Sequence, residues 1–246
     1  MDTITPPLAL ASLSGESDAT WASHGEGLAG VAFLGGIALD GPTRRAAEAV
    51  VERDRTEFLP EDPFDFIEDQ LRQLTDVQIQ AGINVRAASP EPVREAATRC
   101  RPYDAILEVN AHCRQPECTT LGCGQALLQR PDELTAQVQA AAETGVPVSV
   151  KVRTEVPGVD LPELATRLEQ AGADIIHVDA MDSRPVVGDV VEATEATIIA
   201  NNNVRTREDI EEYAGYGADL VSVGRPSTDE RKLRRIAKSV SESRLG

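Results

Sequence analysis

The segment Val146-Pro147-Val148-Ser149-Val150-Lys151, an apolar run that closes on a lysine, shows the pattern that decides the fold. A run with so little alternation is typical of a strand buried on both faces of a parallel sheet. Seven more short apolar runs occur, and the segments between them have helical periodicity. The predicted strands are residues 8–12, 30–34, 83–86, 105–110, 146–152, 174–178, 197–200 and 220–223. Eight strands that alternate with helices predict a single (β/α)8 barrel, the TIM barrel.

Helix boundary signals support this alternation. Pro131, followed by two acidic residues, opens one helix, and Thr206 introduces another. The stretch 58–66 contains two prolines and predicts a long loop before a helix that starts near Ile67. Three glycines are placed to end helices before strands: Gly145, Gly172 and Gly217.

Length and composition indicate the class of protein. At 246 residues with 41% hydrophobic content, the chain is long enough for one barrel domain over residues 1–246. We recognise no signal peptide and no apolar run of the length that crosses a bilayer. Four cysteines in such a chain predict a reduced, cytoplasmic setting without a membrane partner.

The charge balance is strongly acidic. Asp and Glu number 41 against 24 Lys and Arg, a formal net charge of −17. A field of this sign repels nucleic-acid phosphates unless a local basic patch intervenes. The same composition, with only three lysines, also fits adaptation to high salt. A Debye length of about 3 Å in molar salt would leave net charge uninformative about partners, and both explanations stay open.

Polar residues end five of the predicted strands. They are Asn84, Asn110, Lys151, Asp179 and Asn201, and strand-end residues of a barrel face its common mouth. Each alone fits a cap or a turn, but five together favour a ligand site. Lys151 is the strongest candidate, because an ammonium there could stabilise negative charge that develops on a ligand.

A cysteine-rich loop follows the fourth predicted strand. Cys113, Cys118 and Cys123 are five residues apart, with no Cys-x-x-Cys pair. This spacing matches neither zinc nor iron–sulfur sites well, so the sequence predicts no metal site. Cys118 and Cys123 are interpreted as small packing residues.

The last predicted strand ends in Ser222-Val223-Gly224-Arg225. A glycine followed by an arginine lets backbone amides and a guanidinium meet a phosphate, and loops after the seventh and eighth barrel strands often form such a site. Together with Asn201 after the preceding strand, this motif predicts phosphate binding.

Several of these motifs resemble one family of flavin-binding barrels. Asn110-Ala111-His112-Cys113, followed by Gly122-Cys123-Gly124-Gln125-Ala126-Leu127-Leu128, is similar to the Asn-x-Gly-Cys-Pro loop and Gly-x-Gly-x-x-Leu-Leu segment of tRNA-dihydrouridine synthases. Pro147-Val148-Ser149-Val150-Lys151-Val152-Arg153 resembles that family's Pro-Val-Thr-Val-Lys-Ile-Arg strand. The likeness extends from about residue 11 to residue 227. The resemblance is strongest to small archaeal barrel proteins related to the synthases and weaker to dihydroorotate dehydrogenases.

The resemblance implies flavin mononucleotide (FMN) as the cofactor and assigns residues to its site. Cys113 falls on the family's catalytic cysteine, and Lys151 on a lysine that contacts the flavin ring. The other cofactor contacts that the resemblance implies are Ala11, Ser12, Asn84, Asn110, Asn201, Gly224 and Arg225.

The implied reaction is hydride transfer between reduced FMN and a uracil-like ring. Cys113 would pass a proton at the neighbouring carbon, a role that suits a thiol with an unperturbed pKa of about 8.5. Lys151 would stabilise negative charge on the reduced flavin ring.

Three departures from the family bear on the substrate. The family's His-Gly-Arg-Thr is Asp179-Ala180-Met181-Asp182 here, and His177, two residues earlier, is a candidate for a buried core histidine. Arg114 and Glu117 replace a proline and a lysine of the substrate loop. Only 21 residues follow Arg225 in the 246-residue chain, so we expect no C-terminal helical tRNA-binding domain.

These departures argue against tRNA as the substrate and leave three hypotheses. The first is a flavin-dependent enzyme acting on a pyrimidine-like ring, with tRNA uridine as the family's substrate. The second is a dihydroorotate dehydrogenase-like enzyme acting on a free small molecule. The third is a barrel that binds a phosphorylated ligand without redox chemistry.

Overall fold

The computed structural model describes residues 3–245 and contains a closed barrel of eight parallel strands in chain order. The first and last strands pair with Ala9 opposite Ser222, which closes the sheet. The predicted (β/α)8 barrel is therefore confirmed. Its strands are β1 (Leu8–Leu10), β2 (Val31–Ala38), β3 (Gln80–Arg86), β4 (Ile106–Asn110), β5 (Val148–Arg153), β6 (Ile175–Asp179), β7 (Thr197–Asn201) and β8 (Leu220–Val223).

Helices surround this barrel. Proline occupies the first turn of six successive helices, where a backbone N–H would have no acceptor within the helix. No helix among residues 3–245 is long and apolar enough to span a membrane. The α-helices are α1 (Ala19–Ser23), α2 (Gly41–Val51), α3 (Pro63–Gln73), α4 (Pro90–Cys100), α5 (Pro116–Thr120), α6 (Pro131–Ala142), α7 (Leu161–Gln170), α8 (Val186–Ala193), α9 (Arg207–Gly215) and α10 (Glu230–Ser241).

The predicted glycine caps are present, whereas one helix start was wrong. Gly145, Gly172 and Gly217 all have positive φ and follow α6, α7 and α9. Helix α3 begins at Pro63 rather than near Ile67. The physical reason is a cap, because Asp62 accepts the backbone amides of the first turn and Pro63 is preorganised for it.

Strand β2 is longer than predicted. The expected strand stopped at residue 34, but the structure extends it to Ala38 through Gly35 and Gly36, where the register with β3 shifts. Glycine is depleted in strands, and such a pair inside one marks a bulge that composition alone does not distinguish from a turn.

The barrel interior has an apolar lower layer and polar upper layers. The lower layer is a separate buried cluster that includes Phe33, and Gly82 makes room for it, since a Cβ there would lie 2.5 Å from the Phe33 ring. Above this layer the strands bury polar side chains toward their carboxyl ends. The apolar lower layer consists of Ala9, Val31, Phe33, Ile106, Ile175, Ile199 and Leu220.

Candidate active site

Two adjoining cavities open at the carboxyl ends of the strands. The first, of about 340 Å³, is lined by the loops after β1, β4, β6 and β8, by residues 55–57 between α2 and α3, and by the end of β5. The second, of about 250 Å³, lies between the turns after β7 and β8. They share Met181 and Arg225 as lining residues. This end is where barrel enzymes hold their active sites, whereas a larger cavity of about 560 Å³ lies at the opposite end, beside residues 3–7.

The predicted site residues fall into two levels. Ser12, Cys113 and Arg225 line the first cavity, and Asn201, Gly224 and Arg225 line the second. The remaining four lie buried beneath the mouth and do not line either cavity: Ala11, Asn84, Asn110 and Lys151. The structure thus gathers all of them at one end of the barrel, five on the walls of the two cavities and four beneath them.

A chain of hydrogen bonds connects the buried residues of β3 and β4 to the cysteine loop. Glu108 Oε1 accepts from Asn84 Nδ2 at 2.7 Å, and Asn84 Oδ1 accepts from Asn110 Nδ2 at 2.9 Å. Asn110 Oδ1 then accepts from the backbone amides of His112, at 3.3 Å, and Cys113, at 3.1 Å. A buried carboxylate therefore supports the loop of Cys113 from below.

The other oxygen of Glu108 begins a second chain, toward β7. Its Oε2 accepts from Ser149 Oγ at 2.9 Å and lies 2.7 Å from His177 Nδ1. His177 Nε2 lies 2.8 Å from Ser222 Oγ, which accepts from Asn201 Nδ2 at 2.6 Å. His177 is completely buried, as expected of a core histidine, but both of its ring nitrogens have polar partners.

The charge states of this interior follow from the competing effects at each group. Burial alone would raise the pKa of the Glu108 carboxyl, but His177, the Lys151 ammonium and the bond from Asn84 lower it to about 2. Burial lowers the pKa of His177 below its ordinary value, and the Lys151 ammonium acts in the same direction. At neutral pH, Glu108 is a carboxylate and His177 is a neutral imidazole that donates from Nδ1.

Lys151 lies between the buried network and the mouth. It is 3% exposed, and its ammonium has no hydrogen bond or ion pair with residues 3–245. Burial lowers its pKa, while the carboxylates of Glu108 and Asp179 oppose that shift. A cation that is largely withdrawn from water is stabilised by a partner, so this position favours a ligand that brings an acceptor or negative charge to Lys151.

Cys113 contributes the one thiol that lines the first cavity within the described chain. The neighbouring Cys118 thiol, together with burial, raises the pKa of Cys113 well above the ordinary value of a thiol. Cys118 and Cys123 are fully buried against Ala46 and Cys113, in agreement with their interpretation as packing residues. At neutral pH the Cys113 side chain is therefore a protonated thiol, which can donate a proton.

The glycine motif after the cysteine loop has a structural reason. Gly124 has a φ of +62°, and a Cβ there would lie 2.4 Å from the carbonyl oxygen of Cys113. The next residue, Gln125, donates its backbone amide to that same oxygen at 2.9 Å. The segment that resembles the family's Gly-x-Gly motif therefore braces the backbone of Cys113.

A buried ion pair supports the wall of the mouth on the β2 side. The Arg86 guanidinium pairs with the Glu57 carboxylate, donates to Gly36 O at 2.9 Å and approaches Cys118 Sγ at 3.5 Å. Both side chains of the pair are nearly inaccessible, at 1% and 3% exposure. Glu57 lines the first cavity, but its charge is already neutralised by Arg86.

The β6 end of the mouth differs most from the family pattern. Asp179 accepts from Asn202 Nδ2 at 3.0 Å and from the Met181 amide at 3.2 Å. His112 Nδ1 lies 3.8 Å from Asp179 Oδ2, and burial together with the Lys151 ammonium holds the pKa of His112 well below its ordinary value. Asp179 therefore lies on the wall of the first cavity beside a neutral histidine and is held by two hydrogen bonds.

Three members of the network were not predicted from the sequence, although a signal for two of them was present. Glu108, Ser149 and Ser222 were not selected as site residues. Glu108 stands two residues before Asn110, and Ser149 stands two residues before Lys151. Each therefore shares a face of its strand with a predicted strand-end residue. A charged residue two positions before a strand end, inside a strand buried on both faces, is the feature that would have found Glu108.

The family model of the dihydrouridine synthases (Dus) matches residues 61–240. The chain belongs to the dihydrouridine synthase family. The family indicated by the cysteine-loop and lysine-strand motifs is thereby confirmed.

Among curated relatives, this dihydrouridine synthase family member is 28% identical over 229 residues to an uncharacterized protein of Methanocaldococcus jannaschii. That match covers 88% of this chain and 87% of the relative. It is also 26% identical over 182 residues to the catalytic subunit of dihydroorotate dehydrogenase B from Methanothermobacter thermautotrophicus. The second match covers 62% of this chain and 59% of that relative.

Solved structures share the fold of this dihydrouridine synthase family member at low identity. Dihydroorotate dehydrogenase from Eimeria tenella superposes with a TM-score of 0.67 at 16% identity, covering 95% of this chain and 80% of that chain. Morphinone reductase in complex with tetrahydroNAD superposes with a TM-score of 0.61 at 13% identity, covering 95% and 89%. At these identities the likeness shows a common barrel architecture.

Proposed function

We propose that this member of the dihydrouridine synthase family is an FMN-dependent oxidoreductase that transfers hydride between the flavin and a uracil-like ring, with Cys113 as the proton donor. Family and fold support the coarser description, a flavin-dependent oxidoreductase of the barrel type. The observation that carries the finer proposal is the Lys151 side chain, which is 3% exposed and has no hydrogen bond or ion pair within residues 3–245, below the cavity that the Cys113 thiol lines.

The residues present fit both ends of an FMN molecule, the phosphate and the flavin ring. At the phosphate end, Gly224 and Arg225 follow β8, and Arg225 is exposed and has no ion pair within residues 3–245. At the ring end, Lys151 would balance negative charge on the reduced flavin. When bound, FMN supplies the hydride chemistry, and the protein orients the reactants around it.

The state of the Cys113 thiol supports the direction of the reaction. Reducing a carbon–carbon double bond requires a proton at the carbon next to the one that receives hydride. A thiol whose pKa is raised by Cys118 and by burial is protonated at neutral pH and can supply that proton. The reverse reaction would need a base at the same place, so the site favours reduction of the ring.

A free, acidic pyrimidine is a second candidate for the substrate. Arg55 and Arg114 line the first cavity together with Cys113, and neither has an ion pair within residues 3–245. Unpaired guanidiniums suit a carboxylate or phosphate on a small ligand. The dihydroorotate dehydrogenase relative acts on a molecule of this class, which supports testing it beside tRNA uridine.

An anaerobic reoxidation experiment tests the proposal. The FMN-loaded protein is photoreduced and mixed in turn with orotate, uridine monophosphate and unmodified tRNA, while the flavin absorbance is followed. We expect one of the three to reoxidise the flavin at least about tenfold faster than buffer alone, because C=C reduction consumes the hydride. If all three leave the reduced flavin unchanged over the buffer rate, the uracil-like substrate is wrong.

A further inference from the structure

The two hydrogen-bond chains that meet at Glu108 have a defined direction. We propose that Glu108 is a positioning residue that sets this direction for both chains, so that Asn110 holds the Cys113 loop and Asn201 presents an acceptor oxygen to the ligand. The part that concerns the ligand rests on the FMN site proposed above. The direction itself is a property of the interior residues alone.

The first chain is directional because a carboxylate can only accept. Glu108 Oε1 requires a donor from Asn84, so the Nδ2 of Asn84 faces it at 2.7 Å and its Oδ1 faces the other way. That Oδ1 in turn requires a donor, which Asn110 Nδ2 supplies at 2.9 Å. Asn110 Oδ1 is thereby turned toward the backbone N–H of Cys113 at 3.1 Å. Each amide orientation follows from the one before it, beginning at Glu108.

The second chain follows from the same carboxylate. Glu108 Oε2 accepts from His177 Nδ1, which leaves Nε2 of the neutral imidazole as an acceptor for the Ser222 hydroxyl, 2.8 Å away. Ser222 Oγ then accepts from Asn201 Nδ2 at 2.6 Å, and the backbone oxygen of Ser222, which cannot donate, faces the same Nδ2 at 3.3 Å. The Asn201 amide nitrogen is therefore turned inward.

The orientation of the Asn201 amide determines which ligand groups it can bind at the mouth. Asn201 lines the second cavity, and its Oδ1 has no partner within residues 3–245. An amide oxygen suits a ligand hydroxyl or N–H and repels a phosphate oxygen. The Asn201 side chain is thus assigned to a donor group of the ligand, such as a hydroxyl of the ribityl chain, and the phosphate is left to the Gly224 and Arg225 turn.

Two isosteric changes test the direction of the chains. Glu108→Gln replaces one acceptor oxygen with a donating amide, so either Asn84 or His177 faces a donor where it needs an acceptor. The double variant Asn84→Asp/Glu108→Gln moves the carboxylate to position 84. At position 84 the carboxylate accepts from Asn110 Nδ2 and from the new amide nitrogen at position 108. The amide oxygen at position 108 still accepts from His177. The double variant therefore restores both chains with the charge displaced by one residue.

The first readout needs no flavin. Nitrogen NMR of the wild-type protein with labelled histidine reports the tautomer of His177, and we expect a neutral ring protonated on Nδ1. A ring protonated on Nε2 would overturn the proposed direction, whether or not the protein binds FMN. This separates a failure of the present inference from a failure of the proposed function.

The second readout is FMN affinity from visible titrations of variants whose circular dichroism matches the wild type. We expect Glu108→Gln to weaken FMN binding by about tenfold or more, since a buried group is left without its partner. The double variant should return to within about threefold of the wild type, because the two changes compensate. Cys100→Ala, which changes a buried side chain at the end of α4 outside both chains, serves as the control and should stay within about twofold.

Two outcomes of the titrations would contradict the inference. Wild-type affinity in Glu108→Gln would mean that the carboxylate does not set the direction of the chains. A double variant as weak as the single variant would mean that the charge at position 108 matters, rather than the donor and acceptor order.

Discussion

Replacing Lys151 with methionine is expected to lower turnover of the FMN-loaded protein by about 100- to 1,000-fold, the usual cost of removing a preorganised group that faces developing charge. The Lys151 side chain is 3% exposed, and its ammonium has no hydrogen bond or ion pair within residues 3–245. Methionine keeps most of the side-chain volume and removes only the charge. Stopped-flow reoxidation at saturating FMN would measure the effect on the chemical step, separately from any loss of affinity.

The matched control is Lys232→Met, which removes one of the other two lysines. Lys232 lies on α10, is 56% exposed, pairs with Asp229 at 3.1 Å and lines neither cavity of the mouth. We expect its turnover to equal that of the wild type within about twofold. Equal turnover in both variants would show that Lys151 does not meet the developing charge.

Replacing Cys113 with alanine should lower the rate of substrate reduction by about 100- to 10,000-fold, the range associated with loss of a general acid. FMN affinity and photoreduction of the flavin should change little, because the thiol acts on the substrate rather than on the cofactor. Single-turnover mixing of photoreduced protein with the active substrate separates the two effects. Cys100→Ala is the control, since Cys100 is a buried thiol at the end of α4 and does not line the mouth.

The pH dependence of this step provides a second check on Cys113. The acid form of the thiol is the active form, so the rate falls only as pH rises through its pKa. Because Cys118 and burial raise that pKa above the ordinary value, the rate should stay flat from about pH 6 to beyond about pH 8.5, the unperturbed thiol value. A rate that halves below about pH 8 would mean that the thiol is not held protonated as the structure indicates.

The barrel was predictable from sequence because its signals are local. Each strand is a short apolar run, and Gly145, Gly172 and Gly217 end helices through their own backbone freedom. The start of α3 was missed for a different reason. Pro63 was interpreted as part of a loop, although Asp62 before it supplies the cap that begins the helix.

The site was predictable only where a residue stands at a strand end. Lys151, Asn110 and Asn201 could be placed at the mouth from the sequence, because every barrel strand ends there. The partners of those residues depend on strand register, which joins Glu108 to His177 across 69 residues of chain. The Arg86 pair with Glu57 is a contact of the same kind, made by a loop whose path the sequence does not specify. The cytoplasmic setting and the choice between tRNA and a small molecule stay predictions.

Binding of FMN at the mouth of this barrel is measured by titrating FMN into the purified protein and recording its visible spectrum. The titration is done in high salt as well as low salt, because the −17 net charge would repel an anionic cofactor at low ionic strength. We expect shifted flavin bands that saturate at about one equivalent and bleach under dithionite. A spectrum that stays identical to free FMN in both salts would contradict the flavin site and leave a barrel that binds another phosphorylated ligand.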